Sequence, residues 1–163
     1  MSSKKSPERV AGWREWVSLP DLSVPVIKAK LDTGARTSAL HAFDLEIEKR
    51  GGVEYAEFEV HPDQDSTRGS VRAVARIEDW RRVRSSNGQT QLRPLIYTTI
   101  ELLGERWEID LTLTNRDEMG FRLLLGRQAL KRRLLVDSGT SYLGGKRHLP
   151  GTRTRKKTRR STS

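Results

Sequence analysis

The residues with the clearest chemical potential are Asp32, Thr33 and Gly34, which follow an alternating segment at residues 24–31. Apolar side chains that alternate with lysines predict a β-strand, and the glycine predicts a tight turn after it. A carboxylate at the end of such a strand could act as a general base toward water. It could also form an Asx-type turn, in which Asp32 accepts a hydrogen bond from the backbone two residues on, and an isolated Asp-Thr-Gly favours this structural role. These three residues alone leave both interpretations open.

Other catalytic chemistries find little support in the residue pattern. The three histidines, His41, His61 and His148, are scattered and show no paired spacing, so a zinc site would need distant residues to assemble. The chain has no phosphate-binding loop and no dinucleotide fingerprint. Ser138 lies in an Asp-Ser-Gly segment, but no histidine is placed to serve it as a base. The sequence therefore predicts no metal and no cofactor, and it leaves carboxylate catalysis.

Carboxylate catalysis needs two aspartates that share one proton. Two carboxylates held close together cannot both ionise, so one stays charged and the other neutral. The charged group takes a proton from water while the neutral group polarises the scissile carbonyl. Each aspartate must then be fixed on a stiff turn, as Asp32 is predicted to be.

The rest of the chain predicts an all-β domain of seven to nine short strands with one short helix near the end. Turn signals at regular intervals, the strongest at Asn87-Gly88, are typical of a closed or folded-over barrel. We predict a helical turn or an irregular link at residues 38–44 and a link at residues 78–84. The predicted strands lie at residues 10–22, 24–31, 44–48, 53–60, 69–77, 92–102, 105–113, 121–126 and 134–137, and the helix at residues 127–133.

Composition limits the class of protein. The 163 residues are 34% hydrophobic and include no cysteine, which excludes disulfides, thiolate metal sites and a cysteine nucleophile. No apolar run has the length of a membrane span. The first nine residues lack the apolar core of a secretory signal, so we expect a cytoplasmic protein without membrane contact.

The basic charge is concentrated in residues 146–163. This segment contains eight of the 31 Lys and Arg residues and no acid, which leaves 23 basic and 21 acidic residues in the rest of the chain. Such a tail cannot form a core, and we expect disorder at residues 1–9 and 146–163 around a folded domain at residues 10–145. The tail could bind RNA or the ribosome through phosphate contacts, or serve only for solubility.

Two segments resemble the signatures of retropepsins, which are aspartic proteases. They are LDTGA at residues 31–35, after the alternating strand, and LLLGRQAL at residues 123–130. The resemblance implies a retropepsin-like closed β barrel, the acid protease fold, in which Asp32 is catalytic. It also implies that Thr33, Gly34 and Ala35 form the active-site turn. Asn87 and Gly88 then belong to a flap that contacts substrate.

A longer set of segments resembles the retropepsin-like proteins associated with RimK-type ATP-grasp ligases, which are also labelled ATP-dependent zinc proteases. These segments are GWREWV at 12–17, KAKLDTGARTSALHA at 28–42 and LTNRD at 113–117. The resemblance covers roughly residues 10–145 and implies an aspartic peptidase acting on a peptide or protein substrate. The residues themselves do not support the ATP and zinc parts of that label.

The second aspartate of the dyad has two candidate sources. Asp137-Ser138-Gly139-Thr140 resembles the second active-site turn of two-lobed, pepsin-like enzymes, which would put both aspartates in one chain. A two-lobed enzyme repeats the whole lobe, however, and few residues follow Asp137. We therefore favour a homodimer in which each subunit supplies one Asp32 at the two-fold axis.

Arg36 departs from the retropepsin pattern. Retropepsins commonly have an acid at this position, where it pairs with the arginine that corresponds to Arg127. We therefore expect Arg36 and Arg127 to lie close together near the cleft, where two like charges favour an anion. An acidic substrate, such as an oligoglutamate tail of the kind that RimK-type ligases add, would supply it. Pairing with a local acid such as Asp117 or Glu118 is the alternative.

Three functions remain to be separated. The leading one is an aspartic endopeptidase with acidic or oligoglutamate-modified peptides as substrates. The second is a non-catalytic retropepsin-like module that binds an acidic peptide or a ribosomal protein. In the third, the basic tail carries the function by binding nucleic acid.

Overall fold

Short β-strands dominate the computed structural model, which describes residues 9–63, 68–84, 87–115 and 120–146. This part of the chain contains twelve strands, one α-helix and one 3-10 helix. The strands are β1 (Val10–Gly12), β2 (Arg14–Leu19), β3 (Val24–Asp32), β4 (Ala39–His41), β5 (Phe43–Arg50), β6 (Val53–Val60), β7 (Val71–Arg76), β8 (Asp79–Arg84), β9 (Thr90–Leu102), β10 (Glu105–Thr114), β11 (Leu123–Gly126) and β12 (Leu135–Asp137). The helix α1 spans Arg127–Leu130, and the 3-10 helix spans Pro20–Leu22.

Six strands close a barrel in the order β10-β4-β11-β3-β2-β9, because β9 pairs with β10 as well as with β2. Most neighbours are antiparallel, but β11 runs parallel to β3 and β4 runs parallel to β10. Closure leaves no free edge in the barrel itself, and β8 adds to β9 outside it. The prediction of an all-β, retropepsin-like closed barrel with one short C-terminal helix is confirmed.

Strand β3 shows how the sequence divides between the core and the outer surface. Ile27, Ala29 and Leu31 point into the barrel and are at most 3% exposed. Lys28 and Lys30 alternate with them and are half-buried on the opposite face. Because successive side chains of a strand point to opposite sides, Asp32 at the end of β3 lies on the same outer face as the two lysines.

Two smaller sheets accompany the barrel. Strands β5, β6 and β7 form a three-stranded antiparallel sheet, whose buried Phe58 and Val60 join the barrel core. Strands β1 and β12 form a parallel pair, in which Gly12 lies opposite Asp137. The predicted closing strand after the helix is therefore present, and it pairs with the first strand of the same chain.

Four predictions of secondary structure were wrong. Residues 39–41 form strand β4, which short-range signals miss because its partners β10 and β11 are distant in sequence. Residues 79–84 form strand β8 and not a link. Strand β1 is also separate from β2. The described ranges therefore contain twelve strands, whereas seven to nine were predicted. The helix ends at Leu130, because Lys131 adopts an extended ψ of 126°.

The two ends of the chain lie largely outside the described residues. Residues 1–8 and 147–163 are not described, so the predicted disorder of both terminal segments remains a prediction. Within the described ranges, no helix combines the length and the apolar character needed to cross a membrane.

Glu15 ties the last described segment to strand β2. Its side chain is fully buried, and its carboxylate accepts hydrogen bonds from the backbone N–H groups of Gly12 (2.6 Å), Leu143 (2.9 Å) and Gly144 (3.1 Å). Buried polar groups are tolerated when they are hydrogen-bonded in this way, and bonds to a charged group are the stronger kind. The carboxylate thus links three backbone donors from both ends of the domain.

We predict that Glu15→Gln lowers the free energy of unfolding by roughly 1.5–3 kcal/mol, because an amide places an N–H group against these donors. Urea denaturation followed by circular dichroism measures the change. The matched control is Glu46→Gln, at an exposed position of β5, which should leave stability unchanged. Equal stability of both variants would contradict the linking role of Glu15.

Candidate active site

Asp32 is held at the end of β3 by a turn that uses one of its two carboxylate oxygens. Oδ1 accepts a hydrogen bond from the backbone N–H of Gly34 at 3.0 Å, and the N–H of Ala35 donates to the Asp32 carbonyl at 3.1 Å. Oδ2 lies 4.0 Å from Nζ of Lys30, and the Asp32 side chain is 28% exposed. The Asx-type turn is therefore present, and the carboxylate is still open to solvent.

Strand β11 holds the Asp32 turn from the other side. Gly126 lies directly opposite Asp32 in the parallel register of β11 and β3. A Cβ atom at Gly126 would be 2.5 Å from the carbonyl oxygen of Thr37 and 2.9 Å from that of Ala35, which leaves no room for any side chain. The backbone N–H of Arg127 also donates to the Ala35 carbonyl, at 2.8 Å. The turn therefore packs directly on the backbone of β11.

Arg127 contacts the active-site turn. Its Nη1 lies 3.4 Å from the carbonyl oxygen of Thr33 and 3.3 Å from that of Gly34. A guanidinium in this position stabilises the backbone of the turn, because it satisfies two carbonyls that the strand pairing leaves free. Direct contact of Arg127 with substrate remains a prediction.

Ser38 and Thr112 support the turn, and sequence reasoning missed both. The buried hydroxyl of Ser38 accepts a hydrogen bond from the N–H of Gly126 at 3.0 Å. The Ser38 carbonyl accepts from both the N–H (3.1 Å) and the hydroxyl (2.8 Å) of Thr112. Ser38 lies in a predicted link and Thr112 in a predicted strand, and in neither place does a small hydroxyl residue signal such a contact. Lys30 was also missed, although its position two residues before Asp32 already placed it on the same face.

Arg36 follows the turn and is exposed. Its carbonyl accepts a hydrogen bond from the N–H of Gln128 at 3.2 Å, so the backbones of Arg36 and Arg127 lie in adjoining segments. That their two charged groups lie close together remains a prediction. Arg36 also lines a cavity of about 470 Å³ that extends to Arg81 of β8. The predicted alternative partners, Asp117 and Glu118, lie outside the described residues.

Asn87 and Gly88 form the exposed tip of the hairpin between β8 and β9, as predicted. Gly88 adopts a positive φ of 87°, and the Asn87 side chain accepts a hydrogen bond from the N–H of Gln89 at 3.1 Å. The turn is thus built from the residue types that tolerate such a backbone. Closure of this hairpin over Asp32 remains a prediction.

Asp137 repeats the local arrangement of Asp32 at another place. Its Oδ1 accepts a hydrogen bond from the N–H of Gly139 at 2.9 Å, and it lies opposite Gly12 in a parallel strand pair. A Cβ atom at Gly12 would clash with the carbonyl of Thr140, much as one at Gly126 would clash with Thr37. This second turn belongs to the β1–β12 pair and not to the barrel sheet.

The described residues contain no cluster of three or more His, Cys, Asp or Glu side chains that could hold a metal ion. The rings of His41 and His61 instead stack on the two sides of Phe43, with centroids 3.9 and 3.7 Å away. His61 also contacts Glu59 at 3.1 Å. His148 lies outside the described ranges.

Comparison with known proteins identifies similar sequences over most of the chain. Residues 10–147 match the RimB-like family model, described as the retropepsin-like aspartic endopeptidase RimB. A probable alpha-L-glutamate ligase of Shewanella pealeana is 43% identical over 154 residues, covering 91% of this chain and 34% of that relative. A protein with the same description from Parasynechococcus marenigrum is 45% identical over 136 residues, covering 83% of this chain and 29% of that relative. The chain thus spans about a third of the length of these curated relatives.

One solved structure supports the same fold. The Legionella pneumophila protein Lpg0085, described as of unknown function (DUF785), superimposes with a TM-score of 0.69 at 27% sequence identity. The superposition covers 84% of this chain and 98% of the Legionella chain.

We predict that Gly126→Ala destabilises the protein by about 1–3 kcal/mol, because the added methyl group must displace the backbone of the Asp32 turn. Thermal unfolding measures the change. Gly139→Ala is the matched control, since a Cβ atom there would lie 3.5 Å from Asp137 Oδ1, an ordinary contact distance. If both variants unfold at the same temperature, the close packing of β11 on the turn is not essential.

Proposed function

Since the chain belongs to the RimB-like family of retropepsin-like aspartic endopeptidases, we propose that it hydrolyses peptide bonds with a dyad of two Asp32 carboxylates. The observation that carries the proposal is the Asp32 turn, fixed between β3 and β11 with its carboxylate still open to solvent. A catalytic carboxylate must be held in position before substrate arrives, and rigid strand ends provide this.

The reaction follows from the shared proton of the dyad. The charged Asp32 removes a proton from a water molecule, whose oxygen attacks the scissile carbonyl carbon. The neutral Asp32 donates its proton to the carbonyl oxygen, which gives a tetrahedral intermediate. The C–N bond then breaks as the leaving nitrogen takes up the proton of one carboxylate and a hydroxyl group of the intermediate gives its proton to the other. The products are a carboxylic acid and an amine, and the two carboxylates again share one proton. The titration of such a pair belongs to both groups together.

One chain supplies a single Asp32 turn, so the proposed enzyme is a homodimer with the two turns at its axis. An apolar groove of about 360 Å³ beside Thr33 supports this arrangement. The groove is lined by Thr33, Arg127, Gln128, Leu130, Lys131, Leu134, Leu135 and Val136. Leu135 is 52% exposed, and its strand partner Val10 is 42% exposed. Apolar surface next to a half-site favours burial against a second copy of the chain.

The proposed substrate is an acidic peptide bound in extended form along the turn, with the Asn87-Gly88 hairpin closing over it. Arg36 places a positive charge four residues after Asp32. The relatives described as probable alpha-L-glutamate ligases suggest that the acidic residues are glutamates, as in a protein that carries an oligoglutamate tail.

A non-catalytic binding module is the second candidate. It is favoured by the contact between Lys30 and Asp32, because an ion pair can be the whole function of a half-buried carboxylate. In this case the cleft would hold an acidic peptide without cleaving it.

We predict that Asp32→Asn abolishes cleavage of a glutamate-rich peptide while the peptide still binds. Mass spectrometry of the products measures cleavage, and fluorescence anisotropy measures binding. Asp137→Asn is the matched control, since that residue lies in a similar turn outside the barrel, and it should retain activity. Loss of activity in Asp137→Asn would support the one-chain dyad. A wild-type protein that binds the peptide without cleaving it would support the binding module.

We also predict that Leu135→Glu prevents dimerisation and cleavage together, because it places a charge in the apolar surface beside Thr33. Analytical ultracentrifugation measures the oligomeric state. Ile47→Glu, at a 41% exposed position on the separate three-stranded sheet, is the control and should stay dimeric.

An excess of Asp32→Asn subunits should also inhibit the wild type, since mixed dimers lack one carboxylate. An active Leu135→Glu monomer would contradict the shared site.

A further inference from the structure

A cavity of about 470 Å³ lies between the segment that follows the Asp32 turn and the two strands that carry the Asn87-Gly88 hairpin. Arg36, Thr37 and Ser38 form one side of it, directly after the turn. Arg81 of β8 and Leu95 of β9 belong to the other side. The segment that follows the turn and the strands that carry the hairpin therefore both line this cavity.

The charges around the cavity favour an anion. Four cations line it, namely Arg36, Arg81, Lys131 and Arg133, against the two acids Glu108 and Asp110. Nε of Arg81 lies 3.2 Å from Oδ2 of Asp79, but both side chains are about half exposed. Such an ion pair contributes little free energy in water. Within the described part of the chain, no ion pair forms on Arg36. The segment that follows the Asp32 turn thus brings a guanidinium to the cavity, and a guanidinium can bind a carboxylate through charge-assisted hydrogen bonds.

Most of the cavity surface is polar, and its smaller apolar part is held in place. Trp107, Leu95 and Ile109 are at most 7% exposed, and all three line it. The indole N–H of Trp107 donates to the Ala129 carbonyl at 2.9 Å, and the guanidinium of Arg133 lies 5.2 Å from the centroid of the ring. The tryptophan is therefore held on both its edge and its face.

A glutamate side chain is complementary to this cavity in two respects. Its methylene groups can contact the apolar part of the lining, while its carboxylate binds the guanidinium groups that belong to the polar part. We propose that the cavity is a subsite for a glutamate side chain of the peptide substrate, with Arg36 and Arg81 as the residues that determine specificity. The proposal rests on the peptidase function above and names the part of the same cleft that selects the acidic residue.

If the peptide binds in extended form, the subsite can be tested at each residue of the substrate separately. Alternate side chains of such a peptide point to the same side, so only some of its residues can enter the cavity. A preference for glutamate should therefore appear at a defined position relative to the scissile bond. A general attraction of the basic protein for acidic peptides would instead act at every position equally.

The experiment compares peptides in which glutamate is replaced by glutamine at one position at a time. We expect the wild type to prefer glutamate at the position that enters the cavity. Arg36→Gln and Arg81→Gln should each reduce kcat/KM for that peptide by about tenfold, mainly through KM, because a charge-assisted hydrogen bond is lost. Both variants should lower kcat/KM for the glutamine peptide by less than they lower it for the glutamate peptide.

Arg82→Gln is the matched control. Arg82 is exposed on the same strand, adjacent to Arg81, and does not line the cavity. Its replacement by glutamine removes one positive charge, as the Arg36 and Arg81 variants do. It should cleave the glutamate peptide like the wild type. A loss in Arg82→Gln as large as that in Arg36→Gln would overturn the subsite, because the preference would then reflect overall charge. Equal cleavage of the glutamate and glutamine peptides at every position would also overturn it.

Failure of the peptidase proposal can be told apart from failure of the subsite. If the wild type cleaves no peptide, the same variants are tested by the Kd of fluorescent glutamate and glutamine peptides. A Kd that favours glutamate and loses this preference in Arg36→Gln supports the subsite in a binding protein. Equal Kd values for both peptides overturn the subsite whether or not cleavage occurs.

Discussion

The close approach of two backbones at Gly126 is the constraint on which the candidate site depends. With no Cβ atom, this residue lets β11 lie against the carbonyls of Ala35 and Thr37, while its N–H binds the hydroxyl of Ser38. The Asp32 turn is thereby packed on a buried strand and is not left as a surface loop. A carboxylate on such a support keeps one geometry, which is the condition that positions a catalytic group.

The same support determines what surrounds the carboxylate. The alternation of β3 places Lys28 and Lys30 on the face of Asp32, and the chain leaves the turn through Arg36, so cationic residues precede and follow the turn. In the proposed enzyme, these cations would favour a substrate with negative charge, and the apolar surface around Leu135 would favour a second subunit. The proposed active site, specificity and oligomeric state would then all depend on one strand end.

The Asp137 turn shows that the same local structure can occur in different surroundings. Its turn has the hydrogen bond of the Asp32 turn and a glycine beside it on a parallel strand. However, among the described strands β12 pairs only with β1, outside the barrel sheet. Two residues before Asp137 the chain has Leu135, whereas Lys30 precedes Asp32 at the same spacing. Two segments with similar local structure thus differ in the surface that they face.

The sequence by itself determined the alternating strand, the Asp32 turn, the Asn87-Gly88 hairpin and the closed all-β class, because strand periodicity and turn residues are local signals. It did not reveal β4 or the hydrogen bonds of Ser38 and Thr112, because these depend on strands that are distant along the chain. Only the tertiary structure decided that Arg127 holds the turn and that Arg36 faces a cavity shared with β8. The direction of a long side chain is set by packing, which residue type and spacing do not encode.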